Sequence, residues 1–304
     1  MRVLPFLPPL PLPPPLGPGP HPTGPSAALL KATALELVVL TAHVLLYPTG
    51  ITGERQSVPG PAGPSAVPAV PGSTFPAEAA TPAPSSAPPA GGGDHPPVVL
   101  LHGFIDNRSV FVLLRRSLAQ RGRRHVESLN YSPLTCDIRT AAELLGRHVE
   151  EICARTGHRE IDIVGHSLGG LIARYYVQRL GGDQRVRTLV TLGTPHGGTA
   201  VAPLASAHPI VRQMRTGSAP IEELRLPAPG CRTRFVSFWS ELDRVIVPAE
   251  AARIDHPDLD AENVRVTGIG HLALLVHPTV AAAIRQALES GDPAAGTVPD
   301  AGAA

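Results

Sequence analysis

The sequence predicts an α/β domain, a doubly wound, mostly parallel sheet of about six strands with helices on both faces. Three observations carry this. Most of the 36 prolines of the 304-residue chain fall before residue 98, so composition splits off a remainder of about 190 residues, ample to bury a core. Within that remainder, short β-branched runs alternate with segments of helical period. One serine, Ser167, stands between glycines where such a run gives way to such a segment.

In chain order, residues 1–26 carry too many prolines for helix or central strand and are expected to be a disordered leader. Residues 27–47, AALLKATALELVVLTAHVLLY, read as an apolar helix stopped by Pro48 and Gly50. It is long enough to cross a bilayer, but Lys31, Glu36 and His43 interrupt it, and Glu36 and His43, seven apart, share a face. Three readings are open: a membrane span or signal anchor, an amphipathic helix lying in the membrane plane, and a soluble helix docked on the domain. The working expectation is a membrane anchor. A cleaved signal peptide fits poorly, because YPTGITG offers no small-residue cleavage site. Residues 48–96, rich in Pro, Ala and Gly, are a linker that cannot bury enough apolar area to fold. Residues 97–289 form the α/β domain and 290–304 a disordered tail. A chain beginning near Gly93 is then expected to be soluble, monomeric and fully functional.

Inside the domain the expected elements are a strand at 97–101, a helix near 108–121, a strand at 125–131, and a helix within DIRTAAELLGRHVEEICARTG. That helix puts Ile138, Ala141, Leu145, Val149 and Ile152 on one face, with Gly157 as its stop. There follow the strand IDIVG, a helix after Ser167, strands at 186–193, 233–241 and 263–270, and a last helix near 272–289. Helical residues between Cys136 and Cys153 span about 25 Å, against about 7 Å for a disulfide, so these two are not expected to bond. A bond from Cys231 to either one stays open. The net charge of +1 suggests no nucleic-acid partner. His and Cys are scattered without ligand spacing, so no metal and no cofactor is expected.

The stretch IDIVGHSLGG, 161–170, carries the chemistry. Small residues cluster in many turns; a buried strand before and an amphipathic helix after are what give G-x-S-x-G its meaning. In that setting the turn lifts the serine hydroxyl above the sheet and aims the next N–H at a reacting oxygen. A serine needs a base for its proton and an acid to hold the base's tautomer. In this topology they follow in the order acid, then histidine, from loops at the same sheet edge. Asp243 lies just past the strand TRFVSFWSE; Glu241, two residues earlier, is the competing acid but lies in the strand, and a turn cap is the other role open to Asp243. Of 13 histidines, His271 is the one that follows a strand after the acid. The oxyanion donors expected are the N–H of Leu168 and, from the loop after the first strand, the N–H of Phe104. Gly103 lets that loop fold close, and His102 is expected to fix it by a side-chain hydrogen bond.

VVLLHGF, VGHSLGG, LGTPHGGT, SELDRVIVP and GIGHLAL together resemble the bacterial lipase and esterase branch of the α/β-hydrolase superfamily over residues 97–289. The resemblance is to minimal triacylglycerol lipases, which lack the leading antiparallel hairpin of larger members. It implies the α/β-hydrolase fold and a serine hydrolase of carboxylic esters with Ser167, Asp243 and His271 as triad and Phe104 and Leu168 as oxyanion donors. A lipid or small ester is the implied substrate. Acyl transfer or thioester cleavage would use the same residues, and a non-catalytic membrane-tethered binding module is a third reading. With the helix at 27–47, a membrane-associated, cell-surface or extracellular location is expected in preference to the cytoplasm. Residues 196–231 are long enough for a lid or acyl pocket, with HPIVRQMRTG as a short amphipathic helix; an ordinary crossover is equally open.

Overall fold

The structure is a computed structural model that describes residues 27–46, 95–104, 106–131, 137–200 and 208–290. The expected leader, nearly all of the linker, the tail beyond Ser290 and Cys136 lie outside these residues.

Six strands, β1 (Val98–Leu101), β2 (Val126–Leu129), β3 (Ile161–His166), β4 (Val186–Leu192), β5 (Arg234–Ser240) and β6 (Asp260–Val266), form one parallel sheet in the order β2-β1-β3-β4-β5-β6. Parallel neighbours need crossovers, and helices supply most of them. α2 (Val112–Ala119) follows a 3₁₀ turn at Arg108–Phe111; α3 (Ile138–Thr156) and α4 (Leu168–Arg179) flank β3; α5 (Pro209–Gln213) and α6 (Ala219–Glu223) lie between β4 and β5; α7 (Pro278–Ser290) closes the domain. α1 (Ala27–Leu46) precedes them all.

The four central strands, β1, β3, β4 and β5, are largely buried on both faces, so each sends alternate side chains into two cores. Val99, Leu101, Ile161, Ile163, Leu189 and Phe235 meet α3 and α4 on one side. Val98, Leu100, Val164, Val190, Val236 and Phe238 meet the side that holds Leu114 and Leu118 of α2 and Ile284 and Leu288 of α7. The residues expected on the inner face of α3 are all buried. Asp137 caps its start by accepting from the Thr140 N–H at 2.7 Å, and Gly157 ends it at φ 75°.

Two differences from expectation bear on the site. β6 runs over 260–266, not 263–270, because Gly268 turns the chain at φ 80° and releases the stretch before His271 as a loop. The expected last helix is two pieces, a 3₁₀ turn at Leu272–Leu275 and then α7, which starts at Pro278, where the missing N–H costs nothing. Cys153 is buried and Cys231 half-buried, and both are free thiols.

The anchor reading would hold the apolar N-terminal helix clear of the domain. In the structure α1 packs on it: Ala32 and Val39 are buried, Leu35 joins the second core, and the contacts fall on the 3₁₀ turns at 108–111 and 272–275. Its other face stays apolar and exposed, with Leu37, Val38, Val44 and Leu45 each at least 60% accessible. By length and composition Leu29–Leu46 is also apolar enough to cross a membrane.

Candidate active site

At the C-terminal end of β3 the chain turns sharply into α4. Ser167 takes φ 51°, ψ −118°, the one positive φ outside glycine among the described residues. That conformation is strained for a residue with a Cβ. The neighbours hold it: Ser167 N–H donates to the Leu192 carbonyl at 2.9 Å, and the Ser167 carbonyl accepts from Gly170 N–H and from Thr194 Oγ1 at 3.1 and 3.0 Å. The glycines make the turn possible by close approach: a Cβ on Gly165 would stand 2.6 Å from Gly170 Cα, and one on Gly169 would overlap the carbonyl of Leu101. Leu168 opens α4, so its N–H is among those that no helix carbonyl can take.

Asp243 follows β5 in a tight loop. Its Oδ1 accepts from the N–H groups of Val245 and Ile246 at 2.8 and 2.9 Å, which leaves Oδ2 free to meet His271 Nδ1 at 2.7 Å. The bond is charge-assisted whenever the imidazole is protonated, and both side chains are buried. Ser240, the last residue of β5, donates its hydroxyl to the Ile269 carbonyl at 2.6 Å and so ties the loop that delivers His271 to the strand that delivers Asp243. Gly193 at the end of β4 completes the seat: at φ 54°, a Cβ there would stand 2.9 Å from His271 Nδ1. Burial pushes the His271 imidazole down, but Asp243 first, then Glu36 and Asp106, outweigh it and hold its pKa above the ordinary value. Glu241, the competing acid, lies on the surface in an ion pair with Arg265.

Phe104 is half-buried at the tip of the loop after β1, edge-on to His208 with ring centroids 5.1 Å apart. Gly103 is the tight point of this loop, since a Cβ would lie 3.0 Å from both Asp106 Oδ2 and His166 Nδ1. The expected fixing bond of His102 is local, Nδ1 to the Gly103 carbonyl at 2.9 Å. The loop is held further by Tyr131, whose ring stacks on His102 at 4.4 Å and whose hydroxyl donates to the His102 carbonyl.

Ser167 and His271 line one cavity of about 330 Å³, walled mainly by apolar side chains: Phe104, Val211, Met214, Val245, Ile246 and Leu272. Val211 belongs to α5, so the segment between β4 and β5 builds part of this wall. A larger hollow of about 690 Å³ between α3 and α4 is lined by Glu143, Glu150, Arg147 and Arg185 and shares no lining residue with the cavity at Ser167. The sequence expectation passed over three groups at the site. His166 is buried with its ring 4.7 Å from that of His271, and burial lowers its pKa against the opposing pull of Asp106, 3.5 Å away. Glu36 and Leu40 of α1 also line the cavity. For Glu36 the signal was present, the one acid inside a mostly apolar helix. Among the described residues no group of three or more metal-ligating side chains occurs.

The sequence model of the palmitoyl protein thioesterase family matches residues 97–225. Triacylglycerol lipases of Pseudarthrobacter phenanthrenivorans and Burkholderia plantarii are each 29% identical over 113 residues, 35% of this chain and 35% and 31% of theirs. The chain thus matches about a third of the length of these curated relatives. Among solved structures, a mature Bacillus licheniformis lipase is similar with a TM-score of 0.54 at 16% identity, covering 64% of this chain and 92% of that one. Aspergillus fumigatus lipase B reaches a TM-score of 0.58 at 18% identity over 66% of this chain and 54% of its own. What this chain shares with them is the arrangement of its sheet and helices, the α/β-hydrolase fold.

Proposed function

We propose that the chain hydrolyses carboxylic esters through an acyl-enzyme on Ser167, with His271 as base, Asp243 as the acid that orients it, and the N–H groups of Leu168 and Phe104 as oxyanion donors. The observation that carries this reading is the 2.7 Å bond from His271 Nδ1 to Asp243 Oδ2, made at the wall of the cavity that also holds Ser167. With Nδ1 engaged, Nε2 is the nitrogen left to take the Ser167 proton. Ser167 Oγ then attacks the carbonyl carbon, and the negative charge moves to the carbonyl oxygen, where the two N–H groups stabilise it. Collapse breaks the bond to the leaving group, which receives its proton from His271; water repeats the sequence to release the acid and restore Ser167.

The cavity's apolar wall suits an acyl chain, and about 330 Å³ is at the small end of ligand pockets, which run to about 1,000 Å³. A nitrophenyl ester series from acetate to palmitate should therefore peak at medium chain length; a rate confined to acetate would contradict the assignment of this cavity to the acyl group. Thioester cleavage is the second reading, favoured by the thioesterase family match over 97–225. The same acyl chains presented as thioesters, and with an alcohol as competing acceptor, separate hydrolase from thioesterase and acyltransferase. A binding module without chemistry would leave all of them intact.

The exposed face of α1, with Leu37, Val38, Val44 and Leu45, supports association with a lipid surface at the membrane or outside the cell. With the opposite face on the domain, the helix would lie in the plane of that surface. The full chain should pellet with phospholipid vesicles and run as a monomer without them; a chain that stays in the supernatant would contradict this.

A further inference from the structure

One carboxylate reaches the site from outside the sheet and has no part in the reaction just described. Glu36, in the middle of α1, accepts from the Leu272 N–H through Oε2 at 3.0 Å and from the Ala273 N–H through Oε1 at 2.9 Å. These N–H groups open the 3₁₀ turn Leu272–Leu275, whose cap position is His271, a side chain that is turned to Asp243 and makes no capping bond to the turn. Donors that a helix start leaves unpaired are thus taken by an acid 236 residues away in sequence. The fit is close on the other side too, since a Cβ on Gly270 would stand 2.7 Å from Glu36 Cδ. One turn further along α1, Leu40 lines the cavity.

We propose that Glu36 is a positioning residue for His271 and that α1 is a working part of the active site. Asp243 fixes one ring nitrogen, but where the other points depends on the backbone that carries the ring. That backbone arrives by the loop 267–270, tied on its near side by Ser240 through Ile269. Glu36 ties the far side, with charge-assisted bonds to two successive N–H groups. It also adds negative charge beside an imidazole that becomes cationic in each half-reaction. The groups facing His271 are Asp243, Asp106, His166 and Glu36, and Glu36 is the one supplied by a segment outside the α/β domain. The inference rests on His271 being the base.

The test uses the full chain with Glu36→Gln, which keeps the shape and removes the charge, and Gly270→Ala, whose methyl pushes the carboxylate away. Each should lower kcat about fivefold to tenfold with KM within about twofold. Each should also move the acid limb of kcat/KM to lower pH, because a nearby carboxylate raises an imidazole's pKa and its loss lets it fall. Two variants guard against one failing to fold, and circular dichroism shows which are folded. A folded variant with wild-type kcat and an unmoved limb overturns the proposal; so does a fall in activity at all pH values with the limb unmoved, which would give Glu36 a structural part that does not reach the His271 imidazole. Fluorophosphonate labelling of Ser167 in the same samples keeps the two readings apart: a parent chain that does not label fails the serine reading itself.

Discussion

Asp243 divides its two oxygens between two tasks: Oδ1 holds the Val245 and Ile246 N–H groups, and Oδ2 reaches His271 at 2.7 Å. The first task fixes the carboxylate in space, and only a fixed carboxylate can fix an imidazole tautomer. Asp243→Asn should therefore keep the loop through its amide oxygen while losing about 10²- to 10⁴-fold in kcat, since the amide cannot reward the tautomer that leaves Nε2 free. Ester turnover together with thermal unfolding checks this, and activity within about threefold of the parent would exclude Asp243 as the orienting acid.

Ser167 sits at φ 51°, a conformation that costs about 1–3 kcal/mol for a residue with a side chain. Ser167→Gly should relieve part of that strain, raising the midpoint of thermal unfolding by a few degrees while abolishing turnover. Ser167→Ala should be equally inactive but no more stable than the parent. A glycine variant that melts earlier than the alanine variant would show that the turn is not strained.

Activity should rise with pH through the imidazole range, because His271 accepts a proton only when neutral. Burial depresses its pKa, but Asp243, Glu36 and Asp106 together raise it, so the acid limb of kcat/KM should lie above pH 6.5, the ordinary value. A rate that falls with rising pH across this range would contradict the role of His271.

Asp162, wholly buried in β3, meets Arg123 at 3.0 Å and Arg187 at 2.7 Å, with the Arg123 and Arg187 side chains at 4% and 11% exposure. Removing the acid leaves two guanidinium groups without their partner. Asp162→Ala should destabilise the domain by about 3–5 kcal/mol, while the smaller loss in Asp162→Asn tracks the hydrogen bonds that an amide retains. Urea unfolding measures both, and an alanine variant within about 1 kcal/mol of the parent would mean that the charges are solvated.

These cases show what the residues in order could reveal. The sheet, the serine turn and the order of Asp243 and His271 were legible because each rests on local pattern: β-branched runs, glycines around a serine, an acid and a histidine just past strand ends. Glu241 was expected inside the strand, but β5 ends at Ser240 and Glu241 sits in the turn after it, exposed and paired with Arg265. Asp162 was not legible, because an acid in an apolar strand is explained only by two arginines 39 and 25 residues away. Glu36 reads in sequence only as an interruption of an apolar helix, since its two partners lie 236 and 237 residues along the chain. The early end of β6 also escaped, because GIG continues an apolar pattern that the positive φ of Gly268 breaks.

If Ser167 is a nucleophile activated in place, a fluorophosphonate probe should find it. The probe should modify one peptide, on Ser167 within IDIVGHSLGG, with loss of ester turnover in proportion to labelling. Labelling should be absent in Ser167→Ala and much slowed in His271→Ala. A folded parent chain that turns over esters without labelling at Ser167, or that keeps its turnover once Ser167 is replaced, would contradict the role of Ser167.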